Sequence, residues 1–255
     1  MILSKSNINQ YERQIRMKEI GQEGQQKIKN AKILIVGLGG LGSTVATFLT
    51  RIGIGQICVI DDDNVDITNI QRQILYNKRD VGRNKITCGV KKLKKINNVT
   101  NIIGIKGMVT ENNVEQLVKK YDIIVDCTDN FTVRGILNRV CIKYKKTCIF
   151  GSVSNFEGFI TVLLKGESPC YECVMGDINK LKEMDSKKEE VGVLGTIVGI
   201  IASIQATEVI KVILNMEEIS TGKLVVFNAL KNDIQVIEYS KRKGCFCENE
   251  AKIYN

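Results

Sequence analysis

Histidine is missing from this chain altogether, so any general base must be a carboxylate, a lysine, a tyrosine or water. By the same absence a zinc site would rest on cysteines, with carboxylates at most as helpers. Tryptophan is absent too, aromatics make up 5% of the residues, and there is one proline. Few aromatics, none interleaved with basic residues, and no reading motif speak against nucleic-acid binding. The near-absence of proline and of low-complexity tracts leaves no visible linker, and residues 1–255 read as a single domain. The N-terminal MILSKSNINQYERQIRM lacks an apolar core, so neither a signal peptide nor an anchor is visible. The longest apolar stretch, 191–204, falls short of the ~20 residues a bilayer span needs and runs on into Gln205, Glu208 and Lys211. A buried helix, no membrane association and a cytoplasmic location are the expectations.

What the chain does have is a net charge of +9, spread over lysines such as Lys91, Lys92, Lys94 and Lys95 in a helical pattern. Solvated helix faces account for most of it, and an acidic protein partner or a polyphosphate substrate also suits the sign. Strand-like runs at 32–36, 56–61, 99–105, 121–126 and 147–150 alternate with helix-like segments around 41–52, 82–97, 111–120 and 130–145. That alternation predicts an α/β fold with a Rossmann-like, doubly wound parallel sheet, the nucleotide-binding core spanning about 30–150. A strand at 158–164, a helix near 194–214 and short strands at 223–228 and 233–238 follow, with Asn232 and Asp233 in the turn. These late strands extend the sheet in antiparallel fashion. Residues 176–190, polar and without aromatics, read as a mobile loop.

The segment ILIVGLGGLG at 33–42 joins an apolar strand to a glycine turn that opens straight into a helix. Glycines allow the tight turn and close approach, and the N–H groups and dipole of the helix start attract a phosphate. Gly37, Gly39 and Gly42 fit the dinucleotide spacing, and Asp61 closes the next strand where a ribose-binding carboxylate is expected. A nicotinamide-dependent oxidoreductase shares both features.

Beyond the second strand, DDDNVDITNIQRQ places Asp61, Asp63, Asn69, Arg72 and Gln73 at a strand's carboxyl end, where doubly wound sheets bind ligands. VGRNK brings Lys85 to a helix start. Arg72 and Lys85 suit a triphosphate; surface charge is the bland reading of either alone. Strand DIIVDC delivers Thr128, Asp129 and Asn130 to the same edge, where Asp129 suits magnesium and both residues equally suit a helix cap. Cys170, Cys173, Cys245 and Cys247, in PCYEC and GCFCEN, form a candidate four-thiolate zinc site clamping the C-terminus. A redox pair at 170/173 or plain thiols are the alternatives. Cys58, Cys88, Cys127, Cys141 and Cys148 read as core.

With these motifs the chain resembles the ThiF/MoeB/HesA family of ubiquitin-activating-enzyme-like adenylyltransferases, nearly end to end. YERQI (11–15), VGLGGLGS (36–43), NIQRQ (69–73), VGRNK (81–85), DCTDN (126–130), PCYEC and GVLGTIVGIIASIQATEVIK (192–211) carry the resemblance. It implies ATP-dependent adenylation of the C-terminal glycine of a small ubiquitin-like sulfur-carrier protein, ahead of thiocarboxylate formation for thiamin or molybdopterin biosynthesis, with a slight lean to thiamin. It also implies roles. The glycine loop (Gly37, Gly39, Gly40, Gly42) with Asp61, Asp63, Asn69, Gln73 and Asn130 would hold the nucleotide. Arg72 and Lys85 would grip phosphates, Asp129 would bind Mg2+, and Arg13 would reach into the partner subunit's site in a homodimer.

Some relatives carry a cysteine in a crossover loop, here about 174–191, where this chain has none and Lys188 takes the place. A covalent acyl step is therefore not expected, and with no rhodanese-like extension after Asn255 sulfur would come from a separate donor protein. The triphosphate and metal residues separate this reading from the oxidoreductase. A catalytically silent scaffold for a ubiquitin-like protein is the third reading, disfavoured because every charged position of the family's site is filled.

Overall fold

The computed structural model describes residues 5–185 and 192–248. Eight strands form one sheet in the order β3-β2-β1-β4-β5-β6-β7-β8. The strands β1 (Lys32–Val36), β2 (Gln56–Asp61), β3 (Asn101–Lys106), β4 (Ile123–Asp126) and β5 (Thr147–Ser154) pair in parallel. The strands β6 (Glu157–Leu163), β7 (Lys223–Asn228) and β8 (Asp233–Glu238) add on antiparallel. The expected α/β sheet, mostly parallel with antiparallel C-terminal strands, is what the chain adopts.

Period-two alternation sorts the strand side chains between two cores. Ile33, Ile35, Ile57, Val59, Ile123 and Val125 face one side, whereas Leu34, Val36, Cys58, Ile60 and Ile124 face the other. The helices α3 (Gly40–Ile52), α4 (Lys85–Ile96) and α9 (Gly195–Leu214) cover the first side. The second is covered by α5 (Val114–Val118), α6 (Phe131–Lys143), α7 (Tyr171–Met175) and α8 (Ile178–Asp185). Because both faces of β1 are covered, its sequence is apolar throughout after Lys32. Each fully buried aliphatic side chain contributes roughly 1.5–3 kcal/mol.

The N-terminal helices α1 (Lys5–Ile15) and α2 (Gly21–Asn30) precede the sheet. The phenol of Tyr11 accepts a hydrogen bond from Asn97 Nδ2 at 2.7 Å. Its ring lies so close to Gly53 that a β-carbon there would sit 2.5 Å from it. α9 is long and apolar enough to cross a membrane. It packs instead against α3, β5 and β6, its buried Gln205 donating to the carbonyls of Asp126 (2.9 Å) and Ile149 (3.4 Å). The buried-helix expectation holds, and apolarity around most of the circumference marks a core helix.

The sequence reading did not place α1, α2 or α7, and two further elements differ from it. β5 runs on to Ser154 and turns through Asn155, at φ 50°, into β6. Within the stretch expected to be a loop, residues 178–185 are helical. Tertiary anchoring explains this: Ile178 fills the space above Gly135, and the carboxylate of Asp185 accepts from the amides of Phe131 and Thr132, each at 2.9 Å. The rest of the crossover segment, with Lys188, lies outside the described residues.

Candidate nucleotide site and cysteine cluster

Strand order reverses between β1 and β4, and the carboxyl ends of the two strands open a cleft of about 1020 Å³ there. The glycine turn forms its floor. Gly37 adopts φ +88°, and a β-carbon on it would meet the Cys127 carbonyl at 2.9 Å. One on Gly42 would overlap the Gly37 carbonyl at 1.9 Å, so the helix can approach the strand this closely only without a side chain. Gly39 is the N-cap of α3 and offers no capping side chain, which leaves the first helical N–H groups open toward the cleft. Gly39 and Gly40 line the cleft, while Gly42 sits behind them.

Asp61 ends β2 with one carboxylate oxygen accepting from the Leu38 amide (2.6 Å) and the other from the Asp63 amide (2.9 Å). Burial, the largest influence, raises its pKa above the ordinary carboxylate value. Lys85 enters on the first turn of α4, whose N-cap Asn84 accepts from the Thr87 amide at 3.2 Å. Its ammonium lies 2.7 Å from Asp63, with the lysine side chain 6% and the aspartate 64% exposed. Asp63 thus holds a cation whose own reach is into the cleft wall. Arg72 donates to the Thr68 carbonyl (2.9 Å) and Asn69 accepts from the Asp66 amide (3.2 Å). Gln73 is buried in the lining, and its Oε1 has no hydrogen-bond partner among the described residues. An orphaned buried acceptor is costly; a ligand hydroxyl or amine in the cleft would satisfy it.

Beyond β4 the exposed Asp129 stands at the cleft mouth. Asn130 caps α6 by accepting from the Val133 amide at 2.9 Å, so the helix-cap reading holds for it even as it lines the cleft. Twelve of the candidate-site residues singled out from sequence therefore share one cleft: Gly37, Gly39, Gly40, Asp61, Asp63, Asn69, Arg72, Gln73, Lys85, Thr128, Asp129 and Asn130. Arg13 is exposed on α1 and is not part of this lining.

Sequence reasoning missed Arg134. It is buried, with Nε 3.1 Å from Asp126 and Nη2 donating to the carbonyls of Thr128 (2.6 Å) and Gly151 (3.0 Å). This buried fork ties the end of β4 to the middle of β5 and holds the Thr128 carbonyl in the loop that carries Asp129. The one available signal was its position on the apolar face of α6, three residues before Leu137 and seven before Cys141. Burial raises the pKa of Asp126 despite the guanidinium beside it.

The four candidate zinc ligands also converge. Cys170 lies 3.8 Å from Cys173 and 3.6 Å from Cys245, and Cys173 lies 3.4 Å from Cys247 (Sγ–Sγ). All four sulfurs are within 4.8 Å of one another. These separations exceed a disulfide bond of about 2.05 Å and approach the edges, about 3.8 Å, of a tetrahedron with 2.3 Å zinc–sulfur bonds. The Arg242 amide and Asn138 Nδ2 donate to Cys173 (3.3 Å) and Cys170 (3.5 Å). Hydrogen bonds from Cys170 and then Cys247 draw the Cys173 thiol well below its ordinary pKa. The donor set therefore fits zinc in count, charge and spacing. Cys58, Cys88, Cys127, Cys141 and Cys148 are buried free thiols, as expected of core residues.

The chain is 38% identical over 248 residues to a probable molybdopterin-synthase adenylyltransferase of Gracilaria tenuistipitata var. liui, covering 93% of this chain and 69% of that protein. It is 36% identical over 241 residues to the adenylyltransferase and sulfurtransferase MOCS3 of Anopheles gambiae, covering 94% of this chain. The chain spans 54% of that relative's length. Among solved structures, E. coli MccB with ATP superposes with a TM-score of 0.83 at 25% identity, covering 96% of this chain and 75% of the other. A family model matches residues 11–248, and the chain belongs to the ThiF family.

Proposed function

We propose that this chain is an ATP-dependent adenylyltransferase acting on the C-terminal glycine carboxylate of a small ubiquitin-like sulfur-carrier protein. The observation that carries this reading is the convergence of a glycine turn, Arg72, Lys85 and Asp129 on one cleft. A hydride-transfer enzyme has no need of such a triphosphate-binding set, and a silent scaffold has no need to retain it. The names of the relatives, adenylyltransferases both, and the ATP bound by a structural neighbour support the same reading.

In the reaction, a carboxylate oxygen of the carrier attacks the α-phosphorus of ATP, the bond from that phosphorus to the bridging oxygen breaks, and pyrophosphate leaves. Alignment and charge neutralisation matter more than proton transfer, so the lack of histidine is no obstacle. Asp61 accepts from the ribose, Gln73 and Asn69 contact the nucleotide, and the open N–H groups at the start of α3 face the phosphates. Arg72 and Lys85 neutralise the charge that develops on pyrophosphate. Asp129, exposed at the mouth, would hold Mg2+, which when bound would screen the phosphate oxygens.

Residues 1–255 act as one adenylyltransferase domain, with Cys170, Cys173, Cys245 and Cys247 holding a structural zinc. Two copies form the catalytic unit, Arg13 of each serving the other's cleft; α1 is suited to present it, with Tyr11 buried on one side and Arg13 exposed on the other. Sulfur comes from a separate donor protein. None of the nine cysteines is paired in a disulfide, as in a reducing cytoplasm. The molybdopterin names among the relatives shift the pathway preference from thiamin to molybdopterin. ATP–pyrophosphate exchange, measured with each candidate carrier bearing an intact Gly-Gly terminus, tests the proposal. Carrier-stimulated exchange is the expected result; silence with every carrier despite ATP binding overturns the substrate class, and no ATP binding overturns the activity.

A further inference from the structure

Leu38, between Gly37 and Gly39, is fixed from three sides. Its side chain is fully buried, its N–H donates to Asp61, and its carbonyl accepts a 2.9 Å hydrogen bond from the hydroxyl of Tyr76. Tyr76 belongs to none of the residues singled out from sequence. It is buried in the core beneath the turn, its hydroxyl also lies 3.4 Å from the Lys85 carbonyl, and Lys92 stands 5.8 Å above its ring. Lys92 is in turn held by the Leu75 carbonyl and Asp80. One small polar atom therefore touches both the glycine turn and the start of α4.

A trans peptide is planar, with its C=O and N–H pointing in opposite directions. Anchoring the Leu38 carbonyl to a phenol inside the core turns the N–H of Gly39 the other way, toward the cleft that Gly39 lines. Among the described residues that N–H meets no acceptor. Without the phenol, the Leu38 carbonyl would be a buried acceptor with no donor, and a flip of the 38–39 peptide would relieve it at the expense of the Gly39 N–H.

We propose that Tyr76 is a positioning residue for the nucleotide: its hydroxyl sets the 38–39 peptide so that the Gly39 N–H meets a phosphate oxygen, and it couples that peptide to the segment carrying Lys85. The proposal rests on the reading of the cleft as an ATP site. Burial raises the pKa of Tyr76 well above its ordinary value, which keeps the phenol a neutral donor throughout the working pH range.

The test is Tyr76→Phe, which removes one oxygen and keeps the ring, with affinities for ATP and for adenosine measured by calorimetry on the full chain. ATP affinity is expected to fall about tenfold, the scale of one well-placed hydrogen bond, while adenosine affinity stays unchanged. Tyr76→His, which restores an N–H donor, should give an intermediate ATP-to-adenosine ratio; should Tyr76→Phe not fold, that ratio in Tyr76→His measured against wild type carries the test. An unchanged ratio, or a parallel loss for both ligands, overturns the proposal. Failure of the wild-type protein to bind ATP at all would instead overturn the nucleotide reading on which it rests.

Discussion

The cleft and the cysteine cluster occupy opposite kinds of ground. The cleft is assembled from strand ends and helix starts of the parallel half of the sheet, and it leaves polar groups open: the Gln73 oxygen lacks a partner among the described residues and Gly39 caps α3 without a side chain. The cluster joins α7 to a C-terminal segment 75 residues away in sequence, and its sulfurs already meet one another. A site held by the body of the fold can leave its groups waiting for a ligand, because the sheet pays for the geometry. A site made from a short helix and a distant segment of the chain, though its sulfurs are packed in the core, depends on the cross-link to hold its two halves together. Ligand removal should therefore cost activity at the cleft and stability at the cluster.

The sharpest break in this contrast is expected from stripping the cluster. Protein purified without added zinc should carry about one zinc per chain, and Cys170→Ser or a strong chelator should lower Tm by roughly 10 °C or more, given the size of structural-zinc binding energies. Metal-free protein of unchanged Tm would erase the distinction. Arg134→Ala tests whether the β4–β5 side of the cleft is as self-supporting as it looks: with Asp126 left buried and unpaired, a loss of about 3–5 kcal/mol is expected in denaturant unfolding. A loss below about 1 kcal/mol would mean that the fork is dispensable.

Asp129→Ala should lower carrier adenylation by about 10²–10³-fold, the scale of removing one electrostatic contact to a transition state, with Tm unchanged. A fall in Tm would place Asp129 among the structural groups instead.

The smallest effect concerns pH. Asp61 has a folded pKa above its unfolded value; its proton is bound more tightly in the folded state, so its contribution to stability is fully present below the unfolded pKa and is lost as pH rises through the folded one. Asp61→Asn should flatten that part of the unfolding profile above about pH 4, and an unchanged profile would remove Asp61 from the account.

Much of this was legible before the fold was known. β1, β2, β7 and β8 fall on the residues expected, because each is a short apolar or alternating run bounded by turn residues, and Asn232 takes the left-handed conformation that the turn required. The cleft residues were legible because each sits within a few positions of a strand end or a helix start. The helix at 178–185 was not, since its polar composition favours a loop and its order depends on Gly135 and on the α6 amides that receive Asp185.

By itself the sequence determined the order of the strands and of the helices α3, α4, α5, α6 and α9, the glycine turn, the cast of charged residues and the cysteine pairs, because these depend on local period and spacing. Tertiary structure alone decided that Arg134 would be buried against Asp126, that Tyr76 would hold the Leu38 carbonyl, and that the Gln73 Oε1 would be left without a partner among the described residues. Those facts follow from which groups the folded sheet brings within hydrogen-bond reach and deprives of water, and no local pattern carries that information.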